Sequence, residues 1–191
     1  MTYVGQSVRR FEDHRLLTGQ GSYVDDMKLP GLLHAVVLRS PHAHAGIRSI
    51  DVSAASRMPG VVAVITAADI QDLAAHMPTR TNIEDVDLSP PMHPALASDK
   101  VCYVGQAVAV VVAEDSYTAA DALEQVLVDY EVLPAVVDPY QAIEEGAIVV
   151  HSDLGSNVSL RTLTAGGDLD AAFARAEHVV RLTYQVQRLA P

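Results

Sequence analysis

Ser40-Pro-His-Ala-His-Ala45 sets two histidines, His42 and His44, in an H-x-H pair whose imidazole nitrogens are of the kind that bind transition metals. Two ligands do not complete a site and spacing marks no third, so the pair reads as part of a structural turn. Cys102 is the only cysteine, which excludes an intrachain disulfide, a cysteine zinc site and an iron–sulfur cluster within this chain. No local motif pairs it with a histidine, and it reads as a small buried thiol beside a strand. His34, His93, His151 and His178 stand alone in sequence and read as core or surface residues. Glu84, Asp85 and Asp87, and separately Glu144 and Glu145, offer oxygens to a hard cation, yet in loops such carboxylates are usually solvated. Gly19-Gln20-Gly21 lacks the third glycine, the lysine and the preceding apolar strand of a phosphate loop. Spacing alone therefore assigns no catalytic, cofactor-binding or metal-binding residue.

The elements that would position these groups are clearer. Residues 107–113 form an unbroken apolar run rich in Val, the pattern of a strand covered on both faces. Glu114-Asp115-Ser116 can cap a helix on which Ala119, Ala122, Leu123 and Val126 fall at helical spacing. Val126, Val128, Tyr130 and Val132 then alternate with Leu127, Asp129 and Glu131, which predicts a half-buried strand. A helical crossover of this length suits two parallel strands in one sheet. Upstream, 32–39 and a stretch containing Ile47, Ile50 and Val52 predict two more strands. Residues 53–58 predict a short helix stopped by Pro59-Gly60. The run 61–65 predicts a strand, followed by Thr66 and Asp69 in a loose capping box. Residues 58–70 faintly echo 133–143, which suggests two related β-α-β units.

Three stretches differ in texture. Residues 1–31 are rich in charge, Gly and turn residues and read as an extended lead. Residues 76–98, with Pro78, Pro90, Pro91 and Pro94, show no periodicity and read as a long loop. Beyond about 150 the chain is turn-rich, with a helix over 169–176 and an alternating final strand at Val180, Leu182, Tyr184 and Val186. A net charge of −11 argues against a nucleic-acid binder. No secretory signal and no run of about 18 apolar residues is present, so a cytoplasmic location without membrane insertion is expected.

Several strings resemble one family. VGQSVRRFEDHRLLTGQGSYVDD (4–26), Leu38-Arg-Ser-Pro-His-Ala-His-Ala45, Val104-Gly-Gln-Ala-Val-Ala-Val-Val-Val-Ala113, Ala119-Ala-Asp-Ala122, Gly166-Gly-Asp168 and Val186-Gln-Arg-Leu-Ala-Pro191 are similar to the molybdenum-carrying large subunits of the xanthine dehydrogenase, aldehyde oxidase and aerobic carbon monoxide dehydrogenase group. The resemblance covers essentially the whole chain. It implies an α+β protein: a lead at 1–31, an α/β hammerhead domain at 32–148, and the beginning of the molybdopterin-binding region at 149–191. It also implies an N-terminal structural portion of a hydroxylase subunit several times longer, inactive in isolation. The molybdenum–pterin cofactor would be held by the absent C-terminal region, with iron–sulfur and FAD subunits as electron partners. A free-standing, non-catalytic binding or adaptor module of the same fold is the alternative. The substrate stays open.

Overall fold

The computed structural model describes residues 3–73, 91, 93–162, 164, 166–184 and 186. Among them lie six strands, β1 (His34–Arg39), β2 (Ala45–Asp51), β3 (Val61–Thr66), β4 (Lys100–Val101), β5 (Ala107–Ala113) and β6 (Leu127–Val132). Four α-helices accompany them: α1 (Asp13–Leu17), α2 (Ala67–Ile70), α3 (Ser116–Leu123) and α4 (Leu169–Arg175). The expected α+β class holds.

The strands form two three-stranded sheets, one ordered β1-β5-β3 and the other β4-β2-β6. The run 107–113 is the central strand of its sheet, as its composition predicts. Ala109, Val111 and Ala113 are fully buried on one side and Val108 on the other. Ala109 and Val111 pack with Ala55, Ala122 and Val126, whereas Val108 packs with Ala45, Ala97 and Val101. Ile50 and Val128 touch both clusters and so join the two sheets. Each fully buried Val contributes roughly 1.5–3 kcal/mol of transfer free energy.

One expectation is overturned. All the strand pairings among the described residues are antiparallel, and β6 does not return to the sheet of β5. Both edges of β5 are occupied, by β1 and by β3, so no edge is left for β6. The helix carries the chain from one sheet to the other instead. A crossover of a dozen residues fits either route, and periodicity does not distinguish them.

Helix α3 itself is as predicted. The Asp115 carboxylate accepts from the Tyr117 and Thr118 amides, both at 2.9 Å, and from the Thr118 hydroxyl at 2.6 Å. Those bonds, the Thr118 hydroxyl first, hold the Asp115 pKa below the ordinary aspartate value. Ala119 and Ala122 are buried against the sheet. The short helix expected at 53–58 is a single 3-10 turn, Ala55–Arg57. It is followed by Gly60 at φ +83°, where an added Cβ would lie 3.2 Å from Thr118 Cγ2. Thr66 begins α2 with its amide and hydroxyl both donating to Asp69 Oδ2, at 2.7 and 2.8 Å.

Two further expectations fail. The echo between 58–70 and 133–143 is not a repeated unit: 61–66 is a strand paired to β5, whereas 133–138 forms no strand. The alternation at Val180, Leu182, Tyr184 and Val186 gives no strand among the described residues either. Alternation creates a two-faced ribbon, and a ribbon becomes a strand only beside a partner edge. Most of the loop predicted at 76–98, with Glu84, Asp85 and Asp87, lies outside the described residues.

Candidate functional site

The chain crosses between the sheets twice at one corner. Residues 40–44 lead from β1 into β2, and residues 102–106 lead from β4 into β5. The two passages are bonded to each other. Ser40 N donates to Gln106 O and Gly105 N donates to Ser40 O, each at 2.8 Å. Arg39 Nη1 donates to Gly105 O at 2.9 Å. Gly105, at φ +89°, takes a left-handed turn that a side chain would strain. Gln106 is buried, and its Oε1 accepts the Cys102 amide at 2.7 Å. Ser40, also buried, folds its own turn: its Oγ donates to His42 O and accepts from His42 N, at 2.9 and 3.0 Å.

His42 and His44 leave this corner with different partners. The His42 ring meets Tyr130 edge-on at 5.0 Å between centroids. Burial pushes the Tyr130 phenol above its ordinary pKa, with a Ser40 hydrogen bond opposing it. His44 is 6% exposed, and its Nδ1 lies 2.7 Å from Pro134 O. A carbonyl only accepts, so Nδ1 carries a proton and is the donor, and Nε2 is the ring nitrogen that remains. That Nε2 is buried without a hydrogen-bond partner among the described residues.

The pairing register shows where His44 belongs. Ala45 pairs with Val101 and Gly46 with Lys100. Ala45 and Val101 face the core, so their neighbours His44, Lys100 and Cys102 belong to the opposite face of the sheet. The segment around Val150 covers this face. Lys100 Nζ donates to Val150 O at 2.6 Å. Asn157 braces the segment, accepting from Val150 N at 3.0 Å and donating to Ala142 O and Ile148 O. A cleft of about 350 Å³ opens here, lined by His93, Lys100, Cys102, His151 and Asp153 among others.

The cleft disfavours charge on its two most reactive groups. Burial pushes the Cys102 thiol pKa up, so the thiol stays protonated at neutral pH. Burial pushes the His151 pKa down, and Lys100, His93 and His44 add to that, against Asp153. The rings of His93 and His151 stand edge-to-face with centroids 6.4 Å apart. Four residues isolated in sequence, His44, His93, Cys102 and His151, thus share one neighbourhood. Among the described residues no group of three or more His, Cys, Asp or Glu is arranged to hold a metal ion. His34 lies in β1, and His178 and the pair Glu144 and Glu145 are exposed. The residues that sequence spacing did not mark for a site are Ser40 and Gln106, to which only their place inside the resembling strings pointed, and Tyr130, which the alternation marked only as part of a strand.

The sequence matches the model of the "Aldehyde oxidase and xanthine dehydrogenase, a/b hammerhead domain" over residues 18–134. The chain is 44% identical over 187 residues to the nicotine 6-hydroxylase large subunit of Paenarthrobacter nicotinovorans, covering 98% of this chain and 22% of that protein. Its fold is similar to that of quinoline 2-oxidoreductase from Pseudomonas putida 86, with a TM-score of 0.80 and 41% identity over 94% of this chain and 22% of the other. A second solved structure, a Cu,Mo-CO dehydrogenase, gives a TM-score of 0.73 and 43% identity over 91% of this chain and 22% of the other. The chain therefore spans under a quarter of the length of these relatives. The corner glycine, the buried Gln106 and the Ser40 turn that bind the sheets together sit within the matched segment, and the chain belongs to the aldehyde oxidase and xanthine dehydrogenase family through its a/b hammerhead domain.

Proposed function

We propose that this chain is the N-terminal structural domain of the large catalytic subunit of a molybdenum hydroxylase, an oxidoreductase of the carbon monoxide dehydrogenase, aldehyde oxidase and xanthine dehydrogenase type. The observation that carries this is a likeness running along 98% of the chain to the large subunit of a hydroxylase. In this reading residues 1–31 are a lead, 32–148 the hammerhead and 149–191 the beginning of the cofactor-binding region. The corner of hydrogen-bonded turns gives the hammerhead a structural role.

The cofactor in the full-length subunit is a molybdenum–pterin. In this reading it is held by the region outside the matched stretch, and no chemical step is assigned to the described residues. Iron–sulfur and FAD subunits are the proposed electron partners, and the cytoplasm the proposed location. No helix among the described residues is long and apolar enough to cross a membrane.

Intact mass and molybdenum content, measured on one sample purified from the native source, test this. A polypeptide several times heavier than 20.4 kDa and carrying molybdenum is expected. A molybdenum-free species near 20.4 kDa with no cofactor-binding chain attached would overturn it and leave an adaptor module.

A further inference from the structure

Residues 148–157 lie over the face of the β4-β2-β6 sheet that is turned away from the core, and little holds them there. Lys100 Nζ, from β4, donates to Val150 O at 2.6 Å. Asn157 closes the segment on itself through Val150 N and Ile148 O, and anchors it to Ala142 O. Two tight turns fill the interval, with Leu154 N donating to His151 O and Gly155 N to Ser152 O. Among the described residues the Lys100 bond is the one hydrogen bond that joins this segment to the sheet.

Three imidazoles from separate parts of the chain gather at that place. His44 stands in the turn before β2, His93 in the stretch before β4, and His151 in the segment itself. His44 is fixed on both sides, its carbonyl accepting from Leu133 N at 3.0 Å and its Nδ1 donating to Pro134 O at 2.7 Å. Its Nε2 is buried and has no partner among the described residues, so a proton arriving there meets no acceptor. The groups that face His151 are Asp99 and Lys100 at the start of β4, His44, His93, and Asp153 two residues along its own segment. Cys102 and Tyr103 line the same cleft from the passage after β4. With the imidazoles neutral, one cation stands against two anions; with all three protonated, four cations do. Burial strengthens that repulsion, and it is the largest of the effects that hold the His151 pKa below its ordinary value.

We propose that residues 148–157 form a proton-operated latch on the β4-β2-β6 sheet, shut while His44, His93 and His151 are neutral and released when they take up protons. Release frees the Lys100 ammonium and uncovers the cleft wall at Cys102. The shut latch binds protons less readily than the open one. Closure is therefore complete above the free-histidine value of about 6.5 and is lost as pH falls below it. The change is local, because β5 packs on the other side of the sheet through Val108 and Val101.

Amide hydrogen exchange read by pepsin digestion tests this on the polypeptide purified from the native source. Each rate is referred to that of the same peptide in the urea-unfolded chain at the same pH. Protection of 148–157 is expected to fall by about tenfold or more between pH 7.5 and about 5.5, the change that one unit of difference in proton affinity produces, while β5 stays protected. Constant protection of the segment across that range, or a parallel fall in β5, would overturn the proposal. His151→Gln and His44→Gln, made separately, each keep a polar side chain that does not titrate, and each is expected to flatten the fall. His178→Gln, at an exposed histidine, is expected to leave it unchanged. A cleft variant that lowers protection equally at every pH, with the slope intact, would make the imidazole a packing group and overturn the latch.

Discussion

The corner between the sheets and the lead at residues 3–31 reach order by opposite means. At the corner, residues more than sixty apart in sequence bond to each other, and Ser40, His44 and Gln106 are buried polar residues. Among residues 3–31 every hydrogen bond spans five residues or fewer and the large apolar groups face outward. The corner is stabilised by what surrounds it, whereas among the described residues no hydrogen bond joins 3–31 to the sheets. Polar burial therefore marks the region held by long-range bonds, and apolar exposure the region held by local ones.

The widest gap is expected between the central strand beyond the corner and the exposed stretch near the end of the chain, from one substitution made twice. Val111→Asp puts a carboxylate inside the central strand, at a cost of several kcal/mol against a total stability of about 5–15 kcal/mol. The 191-residue chain is expected to lose its cooperative urea transition. Val180→Asp, at a site 79% exposed, is expected to shift stability by less than about 0.5 kcal/mol. Equal effects at the two sites would abolish the contrast.

A smaller loss is expected at the corner. Gln106→Ala removes the acceptor of the Cys102 amide and should cost about 1–3 kcal/mol by urea denaturation, without a change in overall fold. A neutral outcome would show that the crossover does not depend on its buried side chain.

The least effect is a pH dependence. His151 has its pKa lowered by burial, so the unfolded chain binds the proton more readily than the folded one. The contribution is absent above the unfolded value of about 6.5 and grows as a destabilisation as pH falls below it toward the folded value. Unfolding midpoints taken from pH 7.5 downward should therefore fall more steeply for the native chain than for His151→Gln. Parallel curves would mean that the cleft does not desolvate the ring.

Much of the body was legible beforehand because its signals are local. The Val-rich run is a strand because β-branched residues suit a ribbon covered on both faces, and Asp115 begins a helix because a carboxylate can accept two free amides. Sheet membership was not legible. Whether Val128 and Tyr130 join the sheet of Val108 or cross to another depends on which edges are already taken, and no window of residues contains that fact. The alternation at 180–186 failed for the same reason. The cleft was invisible too, since His93, Cys102 and His151 meet only through the register of β2 with β4 and the segment braced by Asn157. The family strings did point at the corner, because the glycine and glutamine of Val104-Gly105-Gln106 are demanded by the turn itself.

The central position of β5 also sets a timetable. β1 and β3 pair with nothing but β5 in their sheet, and β1 leaves the ribosome some seventy residues before it. At synthesis rates of about 5–20 residues per second, β1 waits roughly 4–15 s and β3 roughly 2–9 s with unpaired, Val-rich backbones. During that interval the nascent chain is a set of sticky ribbons without a template, and emergence of residues 107–113 closes the sheet in one event. Slow translation between β3 and β5 would lengthen the exposure, so the cell's folding helpers have most to do before the middle of this chain has been made.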